Sequence, residues 1–567
     1  MTVPSRPSVK LAIVALVSAV GLALTGCVGI PTSGAVLTGT EIKTASVENG
    51  ATYIPEGPAK GANQQQILQG FISAFASSQN NYSVAREFLG SGFKDNWDPR
   101  QSVLVRGTGG TSFDALGGDM LRYTIDTLAV VDSSGTYTRS PDPEVQSLTF
   151  QFAKQGGQWR ITEAPQGIVL LESTFESIFS AQTLYFLDPS GKRLVPDQRW
   201  FPTGAQTVRI VSALLAGPSS ALRGAVYTAF PEGTKLSSPL IPIQNAVAQI
   251  DLSVEALSSK SNDRQLMRQQ LLASLGGVSS IAGVSISVGD SVLPIPDSGP
   301  DLPTDPQVDP RPLVLQKDSF GFSEGGRVSA ISLSTKILAL KPLAVTLSSS
   351  GTTAAVLSAS GVVSMVAVSG DPISLDTRPG LVPPTMDEDG FVWSVPTNSP
   401  NAIRVFDAAG KGYDLSPALP ADSSIVSLEV SRDGARVAMY LSTNAGPRIV
   451  VSAIVRSADQ NQRPISLVAD SILDATADSG TPIDATWVDG LSVATLSVVN
   501  GQPTVSLYRL GGSRTSLGRP EAATEIVGGN GGTAGLRLLG GDGSIQTLRG
   551  SSWISSNVQV GLLATQR

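Results

Sequence analysis

The most specific chemistry in this 567-residue chain belongs to its one cysteine, Cys27, which closes the run Leu24-Thr25-Gly26-Cys27. That order is a lipobox. A branched apolar residue and two small ones leave the Gly26–Cys27 bond open to a peptidase, and a thiolate at Cys27 can take a diacylglyceryl group as a thioether. Cleavage then frees the Cys27 amine for a further acyl chain such as palmitate. Each buried methylene contributes ~0.8 kcal/mol and one chain alone holds only marginally, so two or three chains make attachment effectively permanent. The alternative is an ordinary cleaved signal followed by a chance cysteine, which leaves unexplained why the lone thiol stands at this position. Upstream, Arg6 and Lys10 precede an uncharged run from Leu11 to Leu24. A basic start, an apolar stretch of roughly 7–15 residues and a small-residue end mark an export signal, whereas a membrane span needs about 20 apolar residues. Residues 1–26 are therefore expected to be a signal peptide, and the mature chain to sit lipid-anchored on the extracytoplasmic face of the cell membrane.

The chain contains no histidine. Ser-His-Asp and Cys-His hydrolysis lack their base, and zinc sites lack their commonest ligand. With one cysteine there is no intramolecular disulfide and no all-cysteine metal site. Carboxylate pairs and Ser/Lys arrangements are what remains for catalysis. Four segments invite a catalytic or ligand-binding reading. Ser91-Gly92-Phe93-Lys94 has Ser-x-x-Lys spacing, but no Ser-Asp-Asn or Lys-Thr-Gly accompanies it. Asp387-Glu388-Asp389-Gly390 concentrates three carboxylates, yet a calcium loop with its glycine at Gly390 would place its bidentate glutamate on Pro396, so a solvated turn is expected. Gly191-Lys192 and the glycines between Gly528 and Gly535 do not open helices, as a phosphate cradle requires, and read as turns. No catalytic residue, metal ligand or cofactor site is assigned.

Charge narrows the partners. Without Arg6 and Lys10 the chain keeps 38 basic side chains against 47 acidic ones, a formal charge of −9. Nucleic acid is an unfavourable partner for such a chain, and no dense basic cluster supports attraction to anionic lipid. The acyl chains on Cys27 must do the holding.

The elements that position everything else follow from hydrophobic period. Residues 27–62, rich in Gly, Thr and Pro, read as a lipidated tether. In 63–175, Ile67, Phe71 and Phe75 at four-residue spacing predict a helix over Gln64–Ser77. Val84, Phe88 and Leu89 predict a second short one, and alternating runs follow at Ser102–Arg106, Arg122–Val131, Ser147–Ala153 and Gly157–Ile161. Helices followed by antiparallel strands imply an α+β layer. The closing Gly-x-Trp-Arg-Ile resembles the last strand of nuclear-transport-factor-2-like cone folds. In 180–290, strands at Thr183–Phe186 and Leu194–Pro196 flank Asp188-Pro189-Ser190-Gly191. A helix over Thr207–Ala216 stops at Gly217-Pro218, and Asp263 can cap a helix presenting Met267, Leu271 and Leu275. Residues 291–312 form a linker; between Asp290 and Pro312 lie seven prolines and five aspartates, a composition expected to stay extended without packing. In 313–567 the helical period vanishes. Turn glycines at 351, 390, 434, 490 and an Asp-Gly turn at 542 are spaced by 39, 44, 56 and 52 residues. That approaches the four-strand blade period of about 40–50 residues. A β-propeller of five or six blades is expected, with a β-sandwich as the alternative.

The motifs Tyr185-Phe186-x-Asp188, Leu194-Val195-Pro196, Leu214-Leu215-Ala216-Gly217-Pro218, Phe230-Pro231-x-Gly233-Thr234 and Ile250-Asp251-Leu252-Ser253 together resemble a GerMN domain. With the lipobox, Gly29-Ile30-Pro31 after it and the propeller-like end, the chain resembles the LpqB family of actinobacterial lipoproteins over nearly its whole mature length. The fold class expected is thus multidomain: an α+β N-terminal domain, an α+β GerMN-like domain and an all-β C-terminal propeller. The resemblance implies a partner, the extracytoplasmic domain of the sensor histidine kinase in an MtrA/MtrB-type two-component system, and a non-enzymatic accessory role in that signalling and in cell-envelope homeostasis. It supplies no catalytic residues. The competing expectation is a surface protein that binds or cleaves cell-wall glycan with carboxylates on the propeller.

Overall fold

The computed structural model describes residues 55–567 except 205, 290, 297–300, 460 and 477–479, and leaves out the side chains of 141–143. The signal, Gly26, Cys27 and most of the tether lie outside the described residues. All described residues belong to one unit of the chain, 51–567.

The first domain begins with α1 (Gln64–Ser73), which starts where Asn63 closes a capping box. The Asn63 carboxamide oxygen accepts from Gln66 N at 2.9 Å, and the Gln66 side chain accepts from Asn63 N at 2.9 Å. Its apolar stripe, Ile67, Leu68 and Phe71, is buried, and a 3-10 turn over Ala74–Ala76 carries Phe75 into the same core. The second helix, α2 (Ser83–Glu87), is short. Trp97 is 1% exposed, with ring centroids 5.1 Å from Phe71 and 5.8 Å from Phe75. Such aromatic pairs add about 0.5–1.5 kcal/mol beyond their buried area. The helices cover a sheet of β1 (Ser102–Arg106), β2 (Ser112–Gly117), β3 (Met120–Asp132), β4 (Tyr137–Gln155), β5 (Gln158–Glu163) and β6 (Ile168–Leu171), ordered β5-β4-β3-β1-β6 with β2 on β3. Along β3, Leu121, Tyr123, Ile125, Ala129 and Val131 are buried at alternate positions, the period a one-sided sheet requires. The Gly157–Ile161 run forms edge strand β5. It is not the last strand, because β6 pairs parallel to β1 on the far side.

After α3 (Glu172–Ile178), the second domain opens with a hairpin, β7 (Phe179–Leu187) and β8 (Leu194–Pro202), then α4 (Gln206–Ala216). A four-stranded sheet follows, ordered β12-β11-β10-β9 from β9 (Ile243–Gln244), β10 (Val247–Leu252), β11 (Gly283–Val288) and β12 (Ser291–Val292). Strands β10 and β11 are parallel and need a crossover. It is α5 (Ser261–Leu275), which buries Met267, Leu271 and Leu275 completely. Asp263 stands in the first turn of α5 and accepts from Lys260 N at 3.4 Å.

The Pro/Asp-rich segment overturns one expectation: it packs. Leu302 N donates to Gln269 Oε1 (3.1 Å), Leu194 N to Pro303 O (3.0 Å), Val308 N to Asn530 Oδ1 (2.9 Å) and Asp309 N to Gln566 Oε1 (3.1 Å). Proline removes seven backbone donors from this stretch, and the N–H groups of Leu302, Val308 and Asp309 and the carbonyl of Pro303 are taken up by neighbours on both sides. The segment is a strap between the GerMN-like domain and the propeller.

The C-terminal domain is a six-bladed propeller. Its innermost strands, in ring order, are Pro342–Leu347, Thr385–Met386, Ser424–Val430, Thr481–Asp489, Ala523–Val527 and Leu562–Gln566. The last of these closes the circle. It pairs antiparallel with Leu313–Gln316, so chain-terminal and early strands share blade 1, and it runs parallel beside Pro342–Leu347 of blade 2. Ring closure removes the free edge that an open sheet would expose. The glycines at 351, 390, 434 and 490 occupy the same turn, after the inner strand, of blades 2 to 5. The 542 turn is one hairpin later in blade 6, between Arg537–Gly540 and Ser544–Arg549.

Candidate functional site

Because the inner strands all run the same way, the turns that follow them crowd onto one face of the propeller. The acidic segment Asp387–Gly390 is one of these turns, and it is solvated only in part: Asp389 is exposed as expected, whereas Asp387 is buried. Asp387 is 2% exposed. Its carboxylate accepts from Phe391 N (2.9 Å), Trp393 Nε1 (3.1 Å) and Arg456 Nη2 (2.9 Å). Asp389 meets Arg456 from the other side at 3.2 Å, and burial together with the neighbouring Asp387 pushes its carboxyl up while Arg456 opposes that shift. Glu388 points outward to Arg193, at 3.8 Å, and Arg193 also meets Asp188 at 3.5 Å. Asp188 is the turn of the β7–β8 hairpin, where it accepts from Lys192 N (2.8 Å) and Arg193 N (2.7 Å). Gly191-Lys192 is thus a hairpin turn, and two motifs singled out separately in the sequence face each other across the junction of the GerMN-like domain with blade 3.

The next turns repeat the theme. Asp433 accepts from Ala435 N (3.0 Å), from Ser431 Oγ (2.5 Å) and from the fully buried Arg436, whose Nη1 also donates to Gly490 O (2.6 Å). At Gly490 a Cβ would stand 3.2 Å from Pro196 of β8. The glycines of 528–535 include three, Gly528, Gly529 and Gly535, that stand against neighbouring backbone. At Gly528 a Cβ would fall 2.0 Å from the Trp487 carbonyl oxygen, so close approach of backbones requires glycine there. Asn530, among them, clamps Val308 of the strap through both donor and acceptor. This face of the propeller is therefore occupied by the chain itself. The opposite face presents short exposed turns such as Asn500-Gly501, both at positive φ as a two-residue hairpin turn needs.

Around the ring axis the inner strands are clipped to one another by polar side chains. Thr346 Oγ1 donates to Pro384 O (2.8 Å), Val430 N to Thr385 Oγ1 (3.3 Å), Trp487 Nε1 to Glu429 O (2.8 Å) and Gly528 N to Thr486 Oγ1 (3.0 Å). Asp484 accepts from Ser427 Oγ (2.9 Å) on one neighbouring blade and Ile526 N (3.0 Å) on the other, and burial pushes its carboxyl up to about 6. Glu525, on the next inner strand, is pushed up to about 8 by burial and by Asp484. Glu429 forms an ion pair with Arg567. Sequence reasoning missed this carboxylate group, since a lone Asp or Glu in an alternating strand looks the same whether it faces solvent or a ring axis.

Ser91 and Lys94 lie on an exposed surface turn. Ser91 N is held by Gln155 Oε1 (3.1 Å) and Lys94 N by Gly90 O (3.0 Å). Among the described residues no group of three or more Cys, Asp or Glu is placed to hold a metal ion, and no helix is long and apolar enough to cross a membrane.

A second polar region lies between the first two domains. Arg199 of β8, 1% exposed, reaches into the β3–β4 turn and donates through Nη1 to Ser134 O (2.8 Å) and Ser134 Oγ (2.9 Å). Its Nη2 meets Asp197 at 2.7 Å. The adjoining Trp200 N donates to Gly135 O at 2.7 Å. At Gly135, φ +85°, a Cβ would stand 2.9 Å from both the Trp200 carbonyl and the Phe201 ring. The turn can approach β8 this closely only with glycine.

Comparison with known proteins assigns all three domains. Residues 57–176 match the lipoprotein LpqB N-terminal domain, 183–293 the sporulation and spore germination domain, and 322–560 the lipoprotein LpqB beta-propeller domain. Relatives described as lipoprotein LpqB include those of Bifidobacterium longum, 28% identical over 80% of this chain and 82% of that one, and of Rhodococcus opacus, 24% identical over 86% and 89%. That of Cutibacterium acnes is 30% identical over 52% of this chain and spans about half of its own length, 49%. Among solved structures, the first GerMN domain of GerM from Bacillus subtilis is 24% identical, covering 22% of this chain and 97% of that one, TM-score 0.18. TolB from Acinetobacter baumannii is 12% identical, covering 44% and 64%, TM-score 0.31. Through three successive domain matches and relatives that share most of its length, the chain belongs to the LpqB family of lipoproteins.

Proposed function

We propose that this protein is a non-enzymatic accessory lipoprotein, anchored by acyl chains on Cys27 at the extracytoplasmic face of the cell membrane, which modulates a sensor histidine kinase of the MtrA/MtrB type and thereby cell-envelope homeostasis. The observation that carries this reading is membership of a lipoprotein family in a chain whose lone cysteine completes a lipobox. Sharing a leaflet with the kinase raises the effective concentration of one for the other, so a weak contact with the sensor domain is enough to bias its equilibrium. The propeller face that presents exposed turns such as Asn500-Gly501, away from the strap and the GerMN-like domain, is the surface assigned to that contact.

Two measurements test it. Intact mass of the membrane-extracted protein is expected to show an acylated Cys27 N-terminus, and Cys27→Ala to leave the protein unprocessed or released; an unmodified soluble chain sinks the anchor. Deletion phenotypes are expected to vanish in a strain lacking the kinase, and their persistence there sinks the partner. A second reading, a propeller that binds or cleaves wall glycan, draws on Asp484 and Glu525. At neutral pH one carboxyl is ionised and its neighbour protonated, the split that acid–base glycan chemistry uses. Release of fragments from purified peptidoglycan, abolished by Glu525→Gln, would favour it over the accessory role.

A further inference from the structure

Between the N-terminal and GerMN-like domains lies a cavity of about 710 Å³, within the roughly 300–1,000 Å³ of small-molecule sites. Its floor is the Arg199–Pro202 segment of β8 against the β3–β4 turn. One wall is α4, through Val208, Arg209 and Ser212, and the other is Tyr82 with the loop bearing Arg100. Four arginines, Arg100, Arg199, Arg209 and Arg223, line it against one aspartate, Asp132. Asp132 turns one of its two oxygens into its own turn, Oδ1 accepting from Ser134 N (2.8 Å), Ser134 Oγ (2.7 Å) and Thr136 N (2.9 Å). In a chain of net charge −7 this concentration of cations stands out.

Two of the arginines are left incomplete by the protein. Arg209 is half-buried, and among the described residues its guanidinium has no hydrogen-bond or ion-pair partner; its Nε is buried and unsatisfied. Arg199 pairs through both terminal nitrogens, yet its buried Nε also lacks an acceptor. A buried donor without an acceptor is destabilising, more so when it carries charge. Burial and the like charge of Arg100 both lower the Arg209 pKa, which an anion would reverse. The rest of the lining mixes serines and Asn81 with an apolar and aromatic part, in which Phe179, Trp200, Phe201 and Val103 face the same space.

We propose that this cavity binds a small amphiphilic anion, a carboxylate or phosphoryl group carried on an apolar body, with Arg209 and Arg199 meeting the anionic group and the aromatic floor holding the body. A guanidinium suits either headgroup through its planar fork of donors. Since the cavity is walled by two domains, its occupant bridges them and couples ligand arrival to their relative placement. This goes beyond the accessory role and does not depend on it.

The test uses the membrane-extracted full chain in detergent, titrated calorimetrically with phenyl phosphate and phenylacetate, water-soluble probes that differ in headgroup. Saturable binding of at least one is expected, the tighter naming the headgroup, with inorganic phosphate binding more weakly for lack of the apolar body. Arg209→Gln is expected to weaken binding about tenfold or more, the loss of one charge-assisted hydrogen bond. Ser212→Trp, which fills the cavity from an exposed position on α4, is expected to do the same, and it carries the test if the arginine variant does not fold. Arg122→Gln, on the exposed side of β3, is expected to leave binding unchanged. The proposal is overturned by no saturable binding of either probe, by inorganic phosphate binding as tightly as phenyl phosphate, or by affinities that neither Arg209→Gln nor Ser212→Trp alters.

Discussion

Arginine is put to opposite uses at the two junctions of the GerMN-like domain. Toward the propeller, Arg456 is 8% exposed and has carboxylates and a carbonyl placed against it, Asp387, Asp389 and Gly434 O; the fully buried Arg436 has Asp433 and Gly490 O but, like Arg199, keeps its Nε without an acceptor. Toward the N-terminal domain, Arg209 has no acceptor among the described residues and Arg199 keeps one donor unmatched. A buried pair that is complete fixes geometry, while an incomplete one holds free energy in reserve for something else to release. The first junction is built to stay shut, and the second is built around a vacant charge.

The comparison is broken most readily at Asp387. Replacing it with alanine leaves the buried Arg456 with Asp389 as its one remaining carboxylate partner, beside the Gly434 and Gln462 carbonyls, and leaves Trp393 Nε1 without its acceptor. A loss of about 3 kcal/mol is expected in urea unfolding; a loss below about 1 kcal/mol would show that the pair is not what holds the turn. Arg193→Ala removes a cation 15% exposed that spans Asp188 and Glu388. About 1 kcal/mol is expected, read as faster amide exchange at the β7–β8 turn and at the 387–390 turn together. Exchange rising at one and not the other would separate the two sides of the junction. Arg209→Gln, by contrast, is expected to change unfolding free energy by less than about 0.5 kcal/mol, or to stabilise, because it removes an unpaired charge. A large destabilisation would mean that the guanidinium is structural after all.

The ring axis gives a pH signature that the junctions do not share. Asp484 rises from 3.8 to about 6 and Glu525 from 4.5 to about 8 on folding. The folded state therefore binds these protons more tightly than the unfolded chain does. Their contribution to stability is complete below about pH 4 and is lost as pH rises through 6 and then 8. In Glu525→Gln the fall between pH 6 and 8 is expected to flatten, seen in melting temperatures across that range; an unchanged slope would remove Glu525 from the account.

Much of the fold was legible because it rests on local period and punctuation. The spacing of Ile67, Phe71 and Phe75, the stop at Gly217-Pro218 and the triplet Met267, Leu271 and Leu275 each describe an element that buries one face, and that information is carried by neighbours in the chain. The blade period was readable for the same reason, since every hairpin needs its turn residues. The pairing of distant turns was not. Nothing near Asp387 announces Arg456, and nothing in Asp188-Pro189-Ser190-Gly191 announces Glu388, because the contacts depend on where the ring places them.

The sequence by itself determined the lone cysteine at position 27 behind Leu24-Thr25-Gly26, the absence of histidine, the order of the domains and the propeller grammar, all properties of composition or short-range spacing. Tertiary structure alone decided that the proline-rich strap packs, that Asp387 of an otherwise partly solvated acidic turn is a buried clamp, and that four arginines from two domains converge on one cavity. Burial and partnership are set by residues hundreds of positions apart, and only the folded chain brings them within reach of a hydrogen bond.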